Sequence, residues 1–311
     1  MASDLPAAPA YVSETDGPAP VTKAPPWGWL ITADLMLSEL SAGLFAVAAL
    51  SNLIAHDVYG QVARIGFLMA FPLVIADLCC LVADLGDPLR FHHMLRVFKI
   101  RSPMSTGVWA ISLFSLLALV CCGLAAAGKP AEFALMIAGG IGIAPALFVG
   151  GYKGVLFSAT PQADWKDARW LSADLVTSAG MLGAAGLLLT ALFLPVPGAV
   201  EGMRRAQIAT LLVNLVFSTI MTAQALKHPP REIGAARLGE YLLMLAVGWI
   251  APLVLTFAGG AVELTVAACL IIVAAALYRR EVVMMPHRAL RENPAALNGE
   301  GWPPERARQS G

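Results

Sequence analysis

Eight long apolar stretches divide the chain, and this segmentation limits its folds more than any other property. They run at roughly 28–54, 64–83, 106–127, 132–157, 173–194, 206–226, 240–258 and 261–278. Each is close to the ~20 residues that a helix needs to cross ~30 Å of hydrocarbon. The bilayer core offers a backbone no water to bond, so runs this long satisfy their own polar groups as helices. Hydrophobic residues fill 58% of the 311 positions and charged ones only 14%, a surplus that a soluble domain could not hide. The expected class is an all-α polytopic membrane protein, with Gly259-Gly260 alone separating the last two spans.

The flanking segments differ in character. Residues 1–26 are rich in Pro and Ala and lack the basic start, apolar core and cleavage site of a secretory signal, so they read as a mobile, retained tail. From Arg279 onward the chain holds six arginines and four prolines and reads as a solvated basic tail, 279–311. With eight spans both termini share a side. That side receives 17 of the 21 cations, leaving Arg64, Lys129, Arg204 and Arg205 opposite. The positive-inside rule puts the cation-rich side, here termed the basic side, in the cytoplasm of a bacterial inner membrane. Cations and anions balance at 21 each, which gives no basis for a nucleic-acid partner. The five cysteines, Cys79-Cys80, Cys121-Cys122 and Cys269, lie within spans. Neighbours on a helix point ~100° apart, so neither pair resembles a metal or redox motif, and they read as small core residues.

Carboxylates inside the spans are the first functional candidates, because an ionised one near the bilayer centre costs about 2.5–3.5 kcal/mol. At ~1.5 Å per residue, Asp34 lies ~10 Å and Glu39 ~18 Å below Trp27. Asp77 in the second span and Tyr152 and Lys153 in the fourth fall at a depth close to that of Asp34, which predicts a polar pocket open toward the basic side. Glu39 sits just beyond it, on a small-residue face with Gly43 and Ala46, and projects ~140° away from Asp34. Two readings stand for Asp34 and Asp77: groups of a working site, or structural carboxylates paired with Lys153 or Arg90. Lys153 has the alternative of reaching back to the basic side, and Tyr152 that of an interfacial anchor. Asn214 and Gln224 read as hydrogen bonders between helices, and the glycines of the fourth and fifth spans as points of close packing. Pro72, Pro145 and Pro252 are expected to kink their helices.

Between the second and third spans, residues 84–105 mix charge with apolar residues in a way that a free loop would not need. The pattern predicts a short interfacial helix that caps the pocket or docks a partner, or else one that lies among lipid headgroups. Three pieces of sequence resemble the NrfD-like family of polysulfide reductase membrane subunits: the WGW opening at Trp27 with Ser41 to Gly43, DLGDPLRF from Asp84 followed by RSPMSTGVW, and YKGVLFS at Tyr152 to Ser158. The likeness is specific over the first four spans and rests on hydropathy over the last four.

The resemblance implies eight helices built as two four-helix bundles, 27–157 and 158–278, without haem. It implies a quinone-reactive anchor that exchanges electrons between menaquinone or ubiquinone and an iron–sulfur ferredoxin-like subunit, alongside a molybdopterin or cytochrome catalytic subunit. No iron–sulfur cluster belongs to this chain. On this reading Glu39, Tyr152 and Asp77 are the catalytic groups, and Asp34, Glu39, Gly43, Tyr152 and Lys153 bind the quinone. Asp77, Asp84, Asp87 and Arg90 form a proton route. Arg90, Phe91, His92, His93, Arg96, Lys99 and Arg101 dock the partner. Glu39 departs from the glycine or histidine that the family favours at its position. A b-type haem anchor is disfavoured, since His56, His92, His93, His228 and His287 fall in loops or at span ends. A proton-coupled transporter or proton channel is the alternative from another class.

Overall fold

The structure, a computed structural model, describes residues 27–85, 87–96, 98–160, 165, 168–225 and 231–292, with residues 90, 225, 231–237 and 287–292 described by backbone alone. The segments 1–26 and 293–311 therefore lie outside the described residues. Among the described residues nine α-helices follow in order: α1 Trp29–Ile54, α2 His56–Ala83, α3 Pro103–Ala127, α4 Glu132–Ser158, α5 Leu171–Phe193, α6 Ala199–Ala225, α7 Arg231–Leu245, α8 Ala251–Ala258 and α9 Ala261–Glu292. A π-helical turn, Ala246–Ile250, joins α7 to α8 into one span, so eight spans are long and apolar enough to cross a membrane. Among the described residues there is no strand.

Several helices outrun their apolar cores. Helix α2 begins at His56 rather than near 64 because its polar first turns find partners: His56 bonds Asn52 at 2.8 Å, and Arg64 donates to the Ala125 carbonyl at 3.0 Å. Helix α6 likewise starts at Ala199, where Glu201 accepts from Arg204 and Arg205 one turn on. The largest revision concerns Arg279. It belongs to α9 within the eighth span and is 1% exposed, not part of a solvated tail. Pro72 and Pro145 sit inside continuous helices, whereas Pro252 follows the π turn.

Helices α1 and α5 are the most enclosed spans and form the axis of the molecule. They cross at Gly43 and Gly183. A Cβ on Gly43 would run into the Ala179 carbonyl, and one on Gly183 into that of Gly43, so neither position tolerates a side chain at this separation. Around α1, helices α2, α3 and α4 close one ring of four; around α5, α6, α8 and α9 close another. The first ring is filled by Phe45, Phe67 and Phe114 in edge-on contact, with centroids 5.0 and 5.4 Å apart. Glycines of α4 make room for those rings: a Cβ on Gly139 would press on Phe67, and one on Gly142 would overlap Phe45.

At the basic side, Trp165 is fully buried in the α4–α5 connection and donates from Nε1 to the Val282 carbonyl at 2.7 Å. It packs against both Trp27 and Phe157, at 5.3 and 4.6 Å, with those two rings 5.6 Å from each other, and so ties the start of α1 to the ends of α4 and α9. Between α2 and α3 the chain forms a 3₁₀ helix, Pro88–Leu95, the short helix expected there. Ser102 and Pro103 then start α3, the Ser102 hydroxyl accepting from the Ser105 amide at 3.4 Å. Of the cysteines, all unbridged, only Cys121 is buried; Cys79 and Cys269 face outward, contrary to the core placement expected.

Candidate functional site

Near the basic side, three helices bring Asp34, Asp77 and Lys153 together. Lys153 Nζ lies 2.9 Å from Asp34 Oδ2 and 3.1 Å from Asp77 Oδ1, and donates to the Asp34 carbonyl at 3.0 Å. All three are buried, Lys153 at 4% exposure, so the ammonium does not reach out to the basic side. Small residues make this approach possible: Gly154 sits flush against Ser172, and Gly151 against Val176, which seats α4 tightly beside α5. Two carboxylates against one ammonium leave one negative charge in excess in apolar surroundings, an arrangement that favours holding a proton. Asp34 Oδ1 and Asp77 Oδ2 are buried and receive no N–H or hydroxyl from the protein, but the two carboxyl groups lie within hydrogen-bonding reach of each other. One proton shared between them pairs the two groups, and when it is absent the cluster offers acceptor oxygens to a hydroxyl donor.

Tyr152 flanks the cluster, with Lys153 Nζ 5.9 Å from its ring centroid. The ring stacks on Phe148 and fills the space over Gly107, where a Cβ would overlap it. Asp84, just past the end of α2, has its carboxyl pushed above the usual carboxylate range, by partial burial first and by the Asp34 charge second. Asp87 occupies the N-cap position of the 3₁₀ helix without a side-chain capping bond, and the Arg90 side chain lies outside the described residues. Phe91, His92, His93, Arg96, Lys99 and Arg101 are all exposed, beside Leu89 at 84% and Ile100 at 77% exposure.

Glu39 and Gly43 do not join this cluster. Five residues beyond Asp34 on one helix, Glu39 points about 140° away, toward the second ring. There Arg279 grips it with two nitrogens, Nε at 2.6 Å and Nη2 at 2.7 Å, and reaches Asp174 through Nη1 at 3.4 Å. Asp174 accepts from Ser218 at 2.6 Å and from Asn214 at 3.4 Å. Asn214 in turn accepts from the Trp249 indole at 2.7 Å, which confirms it as a bond between helices; Gln224, expected to act likewise, leaves Oε1 unpaired. Gly43 is taken up by the α1–α5 crossing.

Sequence reasoning missed Asp174, Ser218, Trp249 and Arg279. A signal for two of them was present. Thr32-Ala33-Asp34-Leu35 recurs as Ser172-Ala173-Asp174-Leu175, and Ser38 and Gly43 have counterparts in Ser178 and Gly183 at the same offset of 140 residues. Tyr152-Lys153 recurs as Tyr278-Arg279. Each ring thus pairs an aspartate from its first helix with a cation from its last, next to a tyrosine.

Among the described residues no group of three or more His, Cys, Asp or Glu is placed to hold a metal ion. A search of curated proteins found no match. The family model described as polysulphide reductase, NrfD matches residues 20–288, most of the chain and all eight spans. Residues 27–43, 84–109 and 152–158, which resemble this family, fall within the match, as do both buried charge clusters; the chain belongs to the polysulphide reductase NrfD family.

Proposed function

We propose that the protein is the quinone-reactive membrane subunit of a respiratory oxidoreductase complex, exchanging electrons between the quinone pool and an iron–sulfur partner that it anchors at the basic side. The observation that carries this reading is the buried Asp34, Asp77 and Lys153 cluster, which sets two carboxyl groups against one ammonium beside Tyr152. A quinol supplies two electrons and two protons when it is oxidised, and takes up both in the reverse direction.

The residues suit both halves of that exchange. Asp34 Oδ1 and Asp77 Oδ2 accept from hydroxyl groups, and Lys153 donates to a carbonyl once the hydrogen is gone. The excess negative charge lets a carboxylate keep a proton without leaving a net positive site. Tyr152 orients the ring, and Asp84 and Asp87 offer released protons a way out at the basic surface. Above them, the exposed apolar and basic face from Leu89 to Arg101 fits a docking surface for the iron–sulfur protein. A molybdopterin or cytochrome subunit completes the complex. The charge distribution favours the cytoplasmic side of a bacterial inner membrane for this face.

The test uses the whole complex purified from its native membrane. Asp77→Asn is expected to lower quinol-coupled turnover at least tenfold while leaving dye-linked activity of the catalytic partner intact. Unchanged quinol-coupled turnover would remove the cluster from the mechanism.

A further inference from the structure

The two rings differ in what fills them. Along α2, the buried face from Ala63 through Phe67, Ala70 and Val74 is apolar until Asp77, and Phe45 and Phe114 complete the seal. The matching buried face of α6 reads Gln207, Leu211, Asn214, Ser218 and Thr222. A polar stripe there requires partners, since each unmade buried hydrogen bond costs about 1–3 kcal/mol.

Part of the stripe is paired and part is not. Ser218 and Asn214 bond Asp174, and Trp249 bonds Asn214. Gln207, two turns of α6 away from Asn214, is fully buried, and neither its Oε1 nor its Nε2 has a partner in the protein. At the same end of the ring the π turn and Pro252 interrupt the regular backbone bonding of the seventh span. Thr256 is fully buried beyond them, and Arg204 Nη1 donates to its carbonyl at 3.4 Å. Arg204 is held by Glu201, whose side chain is 44% exposed on the face opposite the basic side.

At the other end, the gap between the two charge clusters is bridged by hydroxyls. Ser38 lies one turn beyond Asp34 and next to Glu39; Ser178 lies one turn beyond Asp174. Both are 1% exposed; the Ser178 hydroxyl adjoins the Glu39 carboxylate, and that of Ser38 lacks a hydrogen-bond partner. A buried amide or hydroxyl without a protein partner is satisfied by ordered water where the site has room for it.

We propose that the second ring carries a hydrated proton path across the membrane, from the Asp34 and Asp77 site through Ser38, Glu39 and the Arg279–Asp174 pair, then past Asn214 and Gln207 to Glu201 on the opposite face. Glu39 and Asp174 are its proton-holding groups, and Arg279, shared between them, sets which one carries the charge. The first ring, plugged by Phe45, Phe67 and Phe114, has no such path. This deepens the quinone reading: of the two protons freed from each quinol at the Asp34 and Asp77 site, one leaves by Asp84 and Asp87 at the basic surface and the other crosses to the side opposite the electrons.

The first experiment reads water and is independent of turnover. Hydroxyl-radical footprinting by a millisecond X-ray pulse, on the purified full chain in nanodiscs, should oxidise buried Trp249 and Met203 at least fivefold faster than buried Phe45, Phe67 and Phe114, after correction for intrinsic reactivity. Gln207→Leu should remove most of that excess; Gln207→Met serves if the leucine variant does not fold. Equal rates in the two rings would overturn the path, whatever becomes of the quinone reading. The second experiment counts protons delivered to the opposite face per electron, in vesicles carrying the whole complex and supplied with quinol. Gln207→Leu is expected to cut that ratio about tenfold. A wild-type ratio in the variant, or no delivery to that face by the wild type, would sink the proposal.

Discussion

Lys153 faces two carboxylates, and its removal differs in kind from the removal of either acid. Lys153→Met leaves two buried acids and no cation, and breaking a buried pair in this way costs about 3–5 kcal/mol. Asp77→Asn takes the formal charge of the cluster from one excess negative to zero, so its stability is expected to stay within about 1 kcal/mol of wild type. Thermal unfolding of the detergent-purified chain separates the two. Adding Asp77→Asn to Lys153→Met should return part of the loss, since one of the two stranded acids is then gone. If both single variants melt alike, Lys153 is not holding the carboxylates by charge. Arg279 makes a parallel case in the second ring, where it is clamped by Glu39 and Asp174.

Among the helices, the α1–α5 crossing sets where every charged group points. Gly183→Ala places a methyl against the Gly43 carbonyl, and the two central helices have to move apart. A loss of at least about 2 kcal/mol is expected, in line with overpacking of a tight interface. Gly123 in α3 provides the contrast, because a Cβ there meets nothing within 4 Å. Gly123→Ala should be neutral or add up to ~1 kcal/mol through helix propensity. Thermal melts of the two variants, with intact membrane insertion checked first, decide the matter; equal destabilisation would contradict the crossing.

This crossing also explains how far the sequence could be read. Asp34, Asp77, Tyr152 and Lys153 share a level because depth follows from counting residues inward from the helix ends. Rotation about the helix axis, which decides what each residue meets, depends on which helices touch, and glycine contacts between distant segments settle that. Glu39 was legible as buried and turned away from Asp34, but its partner Arg279 stands 240 positions later. Hydropathy hid that partner, since the apolar run of the eighth span stops just before it while the helix continues. Only comparison of the two halves, Thr-Ala-Asp-Leu with Ser-Ala-Asp-Leu and Tyr-Lys with Tyr-Arg, carried the signal. The polar stripe of α6 was visible in part through Asn214. Gln207 was not, because one amide in a span is unremarkable until its burial is known.

For the molecule as a whole, the decisive asymmetry is that the charge cluster with its excess carboxyl group and the exposed apolar and basic loop lie on one side. Leu89 and Ile100 are largely exposed between cationic side chains, a combination that costs free energy in water and suits a protein partner with a mixed apolar and acidic face. Leu89→Ser with Ile100→Ser removes apolar contact without altering the charges that set membrane orientation. The double variant is expected to insert and melt as the wild type does, since neither side chain is buried in the fold. Retention of the proposed iron–sulfur partner through affinity purification should fall severalfold. Raising salt should weaken what remains, because Arg96, Lys99 and Arg101 would then carry most of the attraction, and exposed charges are screened within about 8 Å at physiological ionic strength. Full retention of the partner at every salt concentration would move the docking face elsewhere on the molecule, and with it the reason for placing electron exchange on the same side as Lys153.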